Sequence, residues 1–323
     1  MNKIRTGCIG LGCIANAVHL PQIAESRDLE LAAVCDIDPI RLQETANKYN
    51  VGKEYRFTDY RDLINCPEVD AVDICTPNDL HFQMAIDAVN ANKSYIIEKP
   101  ITLNAKQADI LAACTEETGV ASMVCFSYRF KAAVRYAKDL IKRDLLGKIY
   151  HVNMQYFQSW GLPEVKCPLV WRFIKSITGS GALGDLGSHA IDLVKFVTGK
   201  DYVKVISHVD TCLKERMLED GSGKTGVVDV DDLCDIMAEM EDDIFASFQI
   251  SRFAFGRGNY QRMEIYGSKG CMVYKLDEQP NMDELKVCIG QSARETHVFS
   301  KLWIPDRYRI EQMQSFADLI NGS

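Results

Sequence analysis

Between Gly184 and Asp192 the chain reads Gly-Asp-Leu-Gly-Ser-His-Ala-Ile-Asp, which sets Asp185, His189 and Asp192 at i, i+4 and i+7, one stripe of a helix. A carboxylate and an imidazole in one row suit proton transfer, because imidazole is the side chain that titrates near neutral pH. Leu193, Val194, Phe196 and Val197 follow, apolar enough to bury much of the helix, so the ionisable row meets either desolvation or a polar cavity. A plain hydrogen bond from His189 to Asp185 across one turn accounts for the same spacing without chemistry.

A second constellation lies near the start. Gly10-Leu11-Gly12-Cys13-Ile14-Ala15 follows a strand-like run and precedes a helical stretch, the setting that Gly-x-Gly-x-x-Gly/Ala requires for a dinucleotide. Gly10 permits a tight turn, Gly12 lets backbone approach a pyrophosphate, and Ala15 allows close helix-strand packing, with helix-terminal amides on the phosphates. Asp36, 21 residues beyond Ala15 and followed by Ile37, closes the next strand. A carboxylate there accepts from both adenosine ribose hydroxyls and repels a 2′-phosphate, which favours NAD over NADP. Arg41 could hold such a phosphate, but Asp36 and Asp38 oppose it.

Two further strand ends belong with these, since ligands of open parallel sheets bind beyond the carboxyl ends of strands. Thr76-Pro77-Asn78 ends one; Asn78 can bond a ribose or carboxamide, or simply cap the next helix, and His81 is equally ambiguous. Glu98-Lys99-Pro100 ends the next, where Pro100 restricts the backbone of Lys99; a surface Lys paired with Glu98 is the plainer alternative.

The elements that would carry these residues fall into two textures. Up to about residue 126, continuous apolar strands (Ile4–Gly10, Leu29–Cys35, Ala71–Cys75, Ser94–Ile97, Ala121–Phe126) alternate with helical stretches, the pattern of a doubly wound parallel sheet, and a helix over Ala132–Arg143 leads out of it. Beyond Gly147-Lys148, strand-like segments joined by Gly and Asp turns predict an α+β domain with a largely open, antiparallel sheet and helices on one face. Glu219–Gly226 reads as a mobile loop.

The bulk numbers narrow the partners. A length of 323 residues suits two domains, and 47% hydrophobic with 25% charged residues is ordinary for a folded chain. A net charge of −8 with dispersed acids excludes a nucleic-acid footprint and disfavours an anionic membrane, and no apolar run is long enough to span one. The 12 cysteines lack any Cys-x-x-Cys pair and the start lacks a secretory signal, which points to reduced thiols and a cytoplasmic address. Neither His-Glu-x-x-His nor paired cysteines occur, so no metal is expected.

With Gly10-x-Gly12-x-x-Ala15, Thr76-Pro77-Asn78-x-x-His81, Glu98-Lys99-Pro100, Tyr128-Arg129-Phe130, Gly181-Ala182-Leu183-x-Asp185-x-Gly187-x-His189-x-x-Asp192, Val230-Asp231-Asp232 and Glu264-Ile265-Tyr266-Gly267-Ser268-Lys269-Gly270 in this order, the chain resembles the Gfo/Idh/MocA oxidoreductases. The resemblance implies an α/β chain: an N-terminal Rossmann domain (1–126) and a C-terminal α+β domain (127–323) whose large open, mostly antiparallel sheet builds a homodimer or homotetramer. It implies NAD(P)-dependent hydride transfer at a secondary alcohol of a sugar or cyclitol, with Lys99, Asp185 and His189 as the catalytic group. Cofactor contacts fall on Gly10, Leu11, Gly12, Cys13, Ile14, Ala15, Asp36, Ile37, Arg41, Thr76, Pro77, Asn78, His81, Glu98 and Lys99, with NAD preferred. Substrate contacts fall on Lys99, Arg129, Trp171, Arg172, Asp185 and His189. Relatives usually continue past the helix that begins near Asp306, so the ending looks abbreviated. A non-catalytic NAD(H)- and sugar-binding regulator and an NAD-dependent glycosidase are the alternatives within the same resemblance.

Overall fold

The computed structural model describes residues 3–277 and 283–322. The chain divides into two units, residues 1–125 with 310–323, and residues 126–309.

In the first unit, β1 (Ile4–Ile9), β2 (Leu29–Cys35), β3 (Arg56–Phe57), β4 (Ala71–Ile74), β5 (Ser94–Ile97) and β6 (Ser122–Val124) pair in parallel in the order β3-β2-β1-β4-β5-β6. This is the doubly wound dinucleotide-binding order, whose chain reversal beside β1 opens a crevice at the strands' carboxyl ends. Every residue of β4 is buried, as a strand covered on both faces requires. Helices Pro39–Lys48, Asn78–Asn90 and Ala105–Thr118 make three of the crossovers; Asp38 caps the first by accepting the Ile40 and Arg41 N–H groups, and Asn104 caps the last at Gln107.

The boundary near residue 126 coincides with the change of texture, but the tail does not stay with the second unit. After a single turn at Asp306–Tyr308, the helix itself begins at Gln312 and runs to Ile320. Its Met313, Phe316 and Ala317 join Ile4, Ile23, Leu29, Ala71 and Ile96 in one buried cluster of the first unit. A composition shift marks where a chain leaves a domain; it carries no mark of a return.

In the second unit, β7 (Ile149–Phe157) and β8 (Tyr202–Asp210) are followed by a hairpin, β9 (Glu215–Met217) with β10 (Thr225–Val227). The end of the segment read as a mobile loop therefore lies in a paired strand. Then come β11 (Leu233–Met240), β12 (Ile244–Ser251), β13 (Tyr260–Gly267), β14 (Gly270–Leu276), β15 (Asp283–Ile289) and β16 (Ser300–Lys301). The large sheet has eight strands in the order β16-β15-β14-β13-β7-β12-β11-β8. All neighbours are antiparallel except β12 with β7. Alternation sets its faces: Val152, Met154, Ile236, Ala246, Phe248 and Met263 pack with Val134, Ala137, Leu193 and Val194 of the helices Ala132–Lys142 and Ser188–Thr198. Their neighbours Asn153, Gln155, Ser247, Gln249, Arg262 and Glu264 line a shallow polar hollow on the other face.

Candidate active site

In the first unit, β1 ends at a turn that only glycine fits. Gly10 has φ +87°, and a Cβ there would stand 2.9 Å from the Cys75 carbonyl carbon and oxygen. At Gly12 a Cβ would meet nothing within 4 Å, so this backbone faces open space. Asp36, buried at the end of β2, accepts the Leu11 N–H at 2.8 Å through Oδ2 and the Asp38 N–H at 2.9 Å through Oδ1. Arg41 reaches Asp36 and Asp38, each at 3.3 Å, so its charge is already countered. An open glycine backbone beside a carboxylate at the next strand end fits NAD: Gly10 to Ala15 would face the pyrophosphate, Asp36 the ribose, and the exposed apolar Ile37 the adenine.

The helix over 13–25 contains a π-helical turn, Ala15–His19, and Cys13 and Ile14 are exposed at its start. The turn ends on His19, which is 1% exposed. His19 Nδ1 lies 2.9 Å from Asp73 Oδ1, and Nε2 lies 3.1 Å from Glu98 Oε1. Burial opposes charge on this ring, but the buried Asp73 carboxylate outweighs it and holds the His19 pKa well above its ordinary value. Cys8, Asp73 and Cys75 form one group, and His19, Glu98 and Cys125 another, close enough for an ion. Burial pushes the Cys75 thiol well up and the Cys125 thiol to about 12, which keeps both as thiols within a hydrogen-bonded set.

Asn78 is buried at the start of its helix, and Thr76 and Pro77 precede it after β4. His81 has no exposure; Nδ1 lies 2.8 Å from the Pro100 carbonyl and Nε2 lies 2.9 Å from the Thr76 carbonyl. Both ring nitrogens face backbone carbonyls and neither is exposed, so the neutral ring donates to one of the two loops rather than reaching a ligand. Burial lowers the His81 pKa. Lys99 follows β5, and its N–H donates to Oε2 of Glu98 at 3.2 Å.

In the second unit, residues 182–198 are helical and open with another π-helical turn, Leu183–Gly187. Asp185 sits inside this widened turn while His189 and Asp192 lie in the regular helix Ser188–Thr198, so the stripe expected from α-helical spacing changes phase between Asp185 and His189. Asp231 caps the helix: Oδ1 accepts the Gly181 N–H at 2.7 Å, Oδ2 the Leu183 N–H at 2.6 Å, and its carbonyl the Ala182 N–H at 2.9 Å.

His189 is 7% exposed and enclosed by aromatic rings, Tyr128 at 4.8 Å and Phe126 at 5.9 Å between centroids, both edge-on. The Tyr128 and Tyr156 hydroxyls are 2.6 Å apart, and Asn259 Nδ2 donates to the Tyr128 hydroxyl at 3.0 Å. Burial and the Tyr128 hydroxyl raise the Tyr156 pKa well above its ordinary range, leaving a neutral hydrogen-bonded wall beside the imidazole. Asp192 does not join His189 in chemistry; both its oxygens accept from Arg129, Nε at 2.7 Å and Nη2. The Arg129 guanidinium also lies over Phe126 and Phe196. Trp171 and Arg172 share a single helical turn, with the guanidinium 4.3 Å above the indole.

Sequence reasoning missed His19, Tyr128, Tyr156, Asn259 and the capping role of Asp231. His19 offered a signal, an imidazole one turn beyond the glycine motif; Tyr156 and Asn259 offered none, since their partners are far along the chain.

Two family models cover most of the chain: the oxidoreductase family NAD-binding Rossmann fold over residues 4–126 and the GFO/IDH/MocA C-terminal domain over 134–273. Among similar proteins, levoglucosan dehydrogenase of Pseudarthrobacter phenanthrenivorans is 31% identical over 94% of this chain and 80% of its own length. The myo-inositol 2-dehydrogenase of Thermotoga maritima is 27% identical over 83% of this chain and 74% of its own. A solved levoglucosan dehydrogenase in complex with NADH and levoglucosan matches with a TM-score of 0.85 at 28% identity, covering 99% of this chain and 88% of that one.

Proposed function

The chain belongs to the GFO/IDH/MocA family of oxidoreductases, and on that footing we propose that it oxidises a secondary alcohol of a sugar, anhydrosugar or cyclitol with NAD. The observation that carries the reading is the open Gly12 backbone beside Asp36, whose carboxylate is bonded to the Leu11 N–H of the same turn. Bound NAD supplies the acceptor for the hydride that leaves the carbinol carbon. His189 takes the hydroxyl proton, imidazole being the side chain suited to general-base catalysis, and the carbonyl product is left behind. Lys99 donates to the reacting oxygen as negative charge develops there, and Asp185 orients the pair. Arg129, held on Asp192, and the Trp171-Arg172 pair contact the remaining hydroxyls. In the reductive direction His189 returns the proton.

Self-association through the outer face of the eight-stranded sheet belongs to the same reading, supported by exposed Ile206, Met237 and Phe245 beside the polar hollow. The free cysteines support a reducing, cytoplasmic setting, and among the described residues no helix is long and apolar enough to cross a membrane.

The test is NADH formation at its absorbance band with levoglucosan, myo-inositol and D-glucose, with NAD and NADP in parallel. Lys99→Ala and His189→Ala should each lower kcat by about 10²- to 10⁴-fold while NADH binding, followed by fluorescence, is largely kept. Near-normal turnover in either variant removes the role given to that residue. NADH binding with no turnover of any sugar would turn the reading toward a regulator.

A further inference from the structure

We infer that two buried histidines, His19 and His81, are positioning residues that fix Lys99 through its two chain neighbours, Glu98 and Pro100. The inference rests on the reading of Lys99 as a reacting residue.

On one side, a chain of side chains runs from the sheet interior to the residue before Lys99. Asp73 has no exposure within β4, and its two carboxylate oxygens lie 2.9 and 3.1 Å from His19 Nδ1. His19 Nε2 meets Glu98 Oε1 at 3.1 Å, and the other Glu98 oxygen accepts the N–H of Lys99 itself. Carboxylates on both ring nitrogens make His19 a double donor, that is, an imidazolium. Each link is therefore a charge-assisted hydrogen bond, the stronger and geometrically stricter kind.

On the other side, the carbonyl of Pro100 meets His81 Nδ1, and His81 Nε2 meets the carbonyl of Thr76. Both facing atoms are carbonyl acceptors and a neutral ring has one N–H, so it donates to one of them at a time; with the proton on Nδ1, His81 ties the Pro100 carbonyl of the loop after β5 to the helix Asn78–Asn90. Neither histidine has the exposure to touch a substrate, at 1% and 0%. A buried charged group is costly and is seldom needed as core filling, since apolar side chains of similar volume fill space at least as well. What this set does that apolar residues cannot is hold the backbone at 98–100 in one place, and displacement of a reacting group by about 1 Å costs about 10²-fold in rate.

The test uses amide replacements that keep one ring nitrogen's bond at a time. Gln places its N–H near Nε2 and Asn near Nδ1. At position 19 only Gln can donate to Glu98; at position 81 only Asn can donate to the Pro100 carbonyl. The expected pattern is crossed. His19→Gln turns over about tenfold faster than His19→Asn, whereas His81→Asn turns over about tenfold faster than His81→Gln, with KM for NAD moving less than kcat. The assay uses whichever of levoglucosan, myo-inositol and D-glucose the wild-type protein oxidises fastest.

A second readout needs no turnover: deuterium uptake in the peptide spanning 98–103 should rise in His19→Asn and Glu98→Gln relative to wild type. Equal behaviour of the two amides at each position, or unchanged uptake in the folded Glu98→Gln protein, overturns the inference. Lys99→Ala separates the layers. Intact turnover there defeats the functional reading; lost turnover without the crossed pattern defeats only the positioning by histidine.

Discussion

Asp231 and Gly181 meet so closely that a Cβ on the glycine would stand 1.9 Å from the Asp231 carbonyl oxygen, while the Gly181 N–H donates to the carboxylate of the same aspartate. The helix bearing Asp185 and His189 is thus seated on one residue of the strand-end sequence Val230-Asp231-Asp232. Next along the chain, Asp232 is fully buried and accepts from the equally buried Arg252 at 2.9 Å, which anchors the seat.

Gly181→Ala should push the helix off this seat, and Asp231→Ala should leave the Gly181 and Leu183 N–H groups without their acceptor. Each lost cap costs about 1–2 kcal/mol, and the glycine clash is with backbone, which cannot rotate away. Chemical denaturation should show reduced stability for both variants, and kcat should fall more than the KM for NAD, since the cofactor turn lies in the other unit. Wild-type stability in Gly181→Ala would mean that the helix start shifts freely.

Asp36→Ala removes the acceptor for the Leu11 N–H and releases Arg41 from one of its two carboxylates. Loss of charge-assisted bonds to the ribose should lower kcat/KM for NAD by about 10- to 100-fold. NADP should lose less, because the repelling carboxylate is gone and Arg41 is freer to meet a phosphate. Parallel kinetics with both cofactors decide it; an unchanged NAD-to-NADP ratio would take Asp36 out of cofactor choice.

The raised pKa of His19 makes stability pH-dependent with a definite sign. The folded-state pKa is above the unfolded one, so the contribution is complete below about 6.5 and fades as pH rises through the folded value. The groups near the ring include Cys8 of β1, Asp73 and Cys75 from the region of β4, Glu98 after β5 and Cys125 after β6. Burial also raises the thiols of Cys75 and Cys125, and their ionisation at alkaline pH destabilises the fold in the same direction. The difference between wild type and His19→Gln isolates the imidazolium. The wild-type advantage in Tm should be largest near pH 6 and shrink toward pH 9.5; an advantage that grows with pH would contradict the charged ring.

Legibility in the sequence followed the range of the interactions. The parallel strands, the glycine turn and Asp36 were readable because each is a local pattern whose meaning comes from a few neighbours. The candidacy of Lys99, Asp185 and His189 as a group comes from the resemblance their motifs carry and not from a local pattern. The π-helical turns at Ala15–His19 and Leu183–Gly187 were not readable, since one extra residue in a helical turn leaves no periodic trace in so short a stretch. Nor was the partnership of His19 with Asp73 and Glu98, 54 and 79 positions away, or the wall of Tyr128, Tyr156 and Asn259 around the imidazole. β16 and β3 are two-residue edge strands, too short for any alternation to announce them, whereas β15 does alternate, Leu285, Val287 and Ile289 with Glu284 and Lys286, a pattern legible in the sequence.

The helix Gln312–Ile320 has a consequence for how this protein is made. Its Met313 and Phe316 finish a core begun by Ile4 and Leu29, so residues 126–309 are an insertion within the first unit. On the ribosome the nucleotide-binding half emerges first yet stays incomplete until nearly three hundred further residues have followed β2, while the inserted half already has all its strands. A stalled or clipped product lacking the last dozen residues would keep every motif residue and still leave bare the apolar patch over Ile4, Ile23 and Ile96, an adhesive surface for chaperones and for other nascent chains.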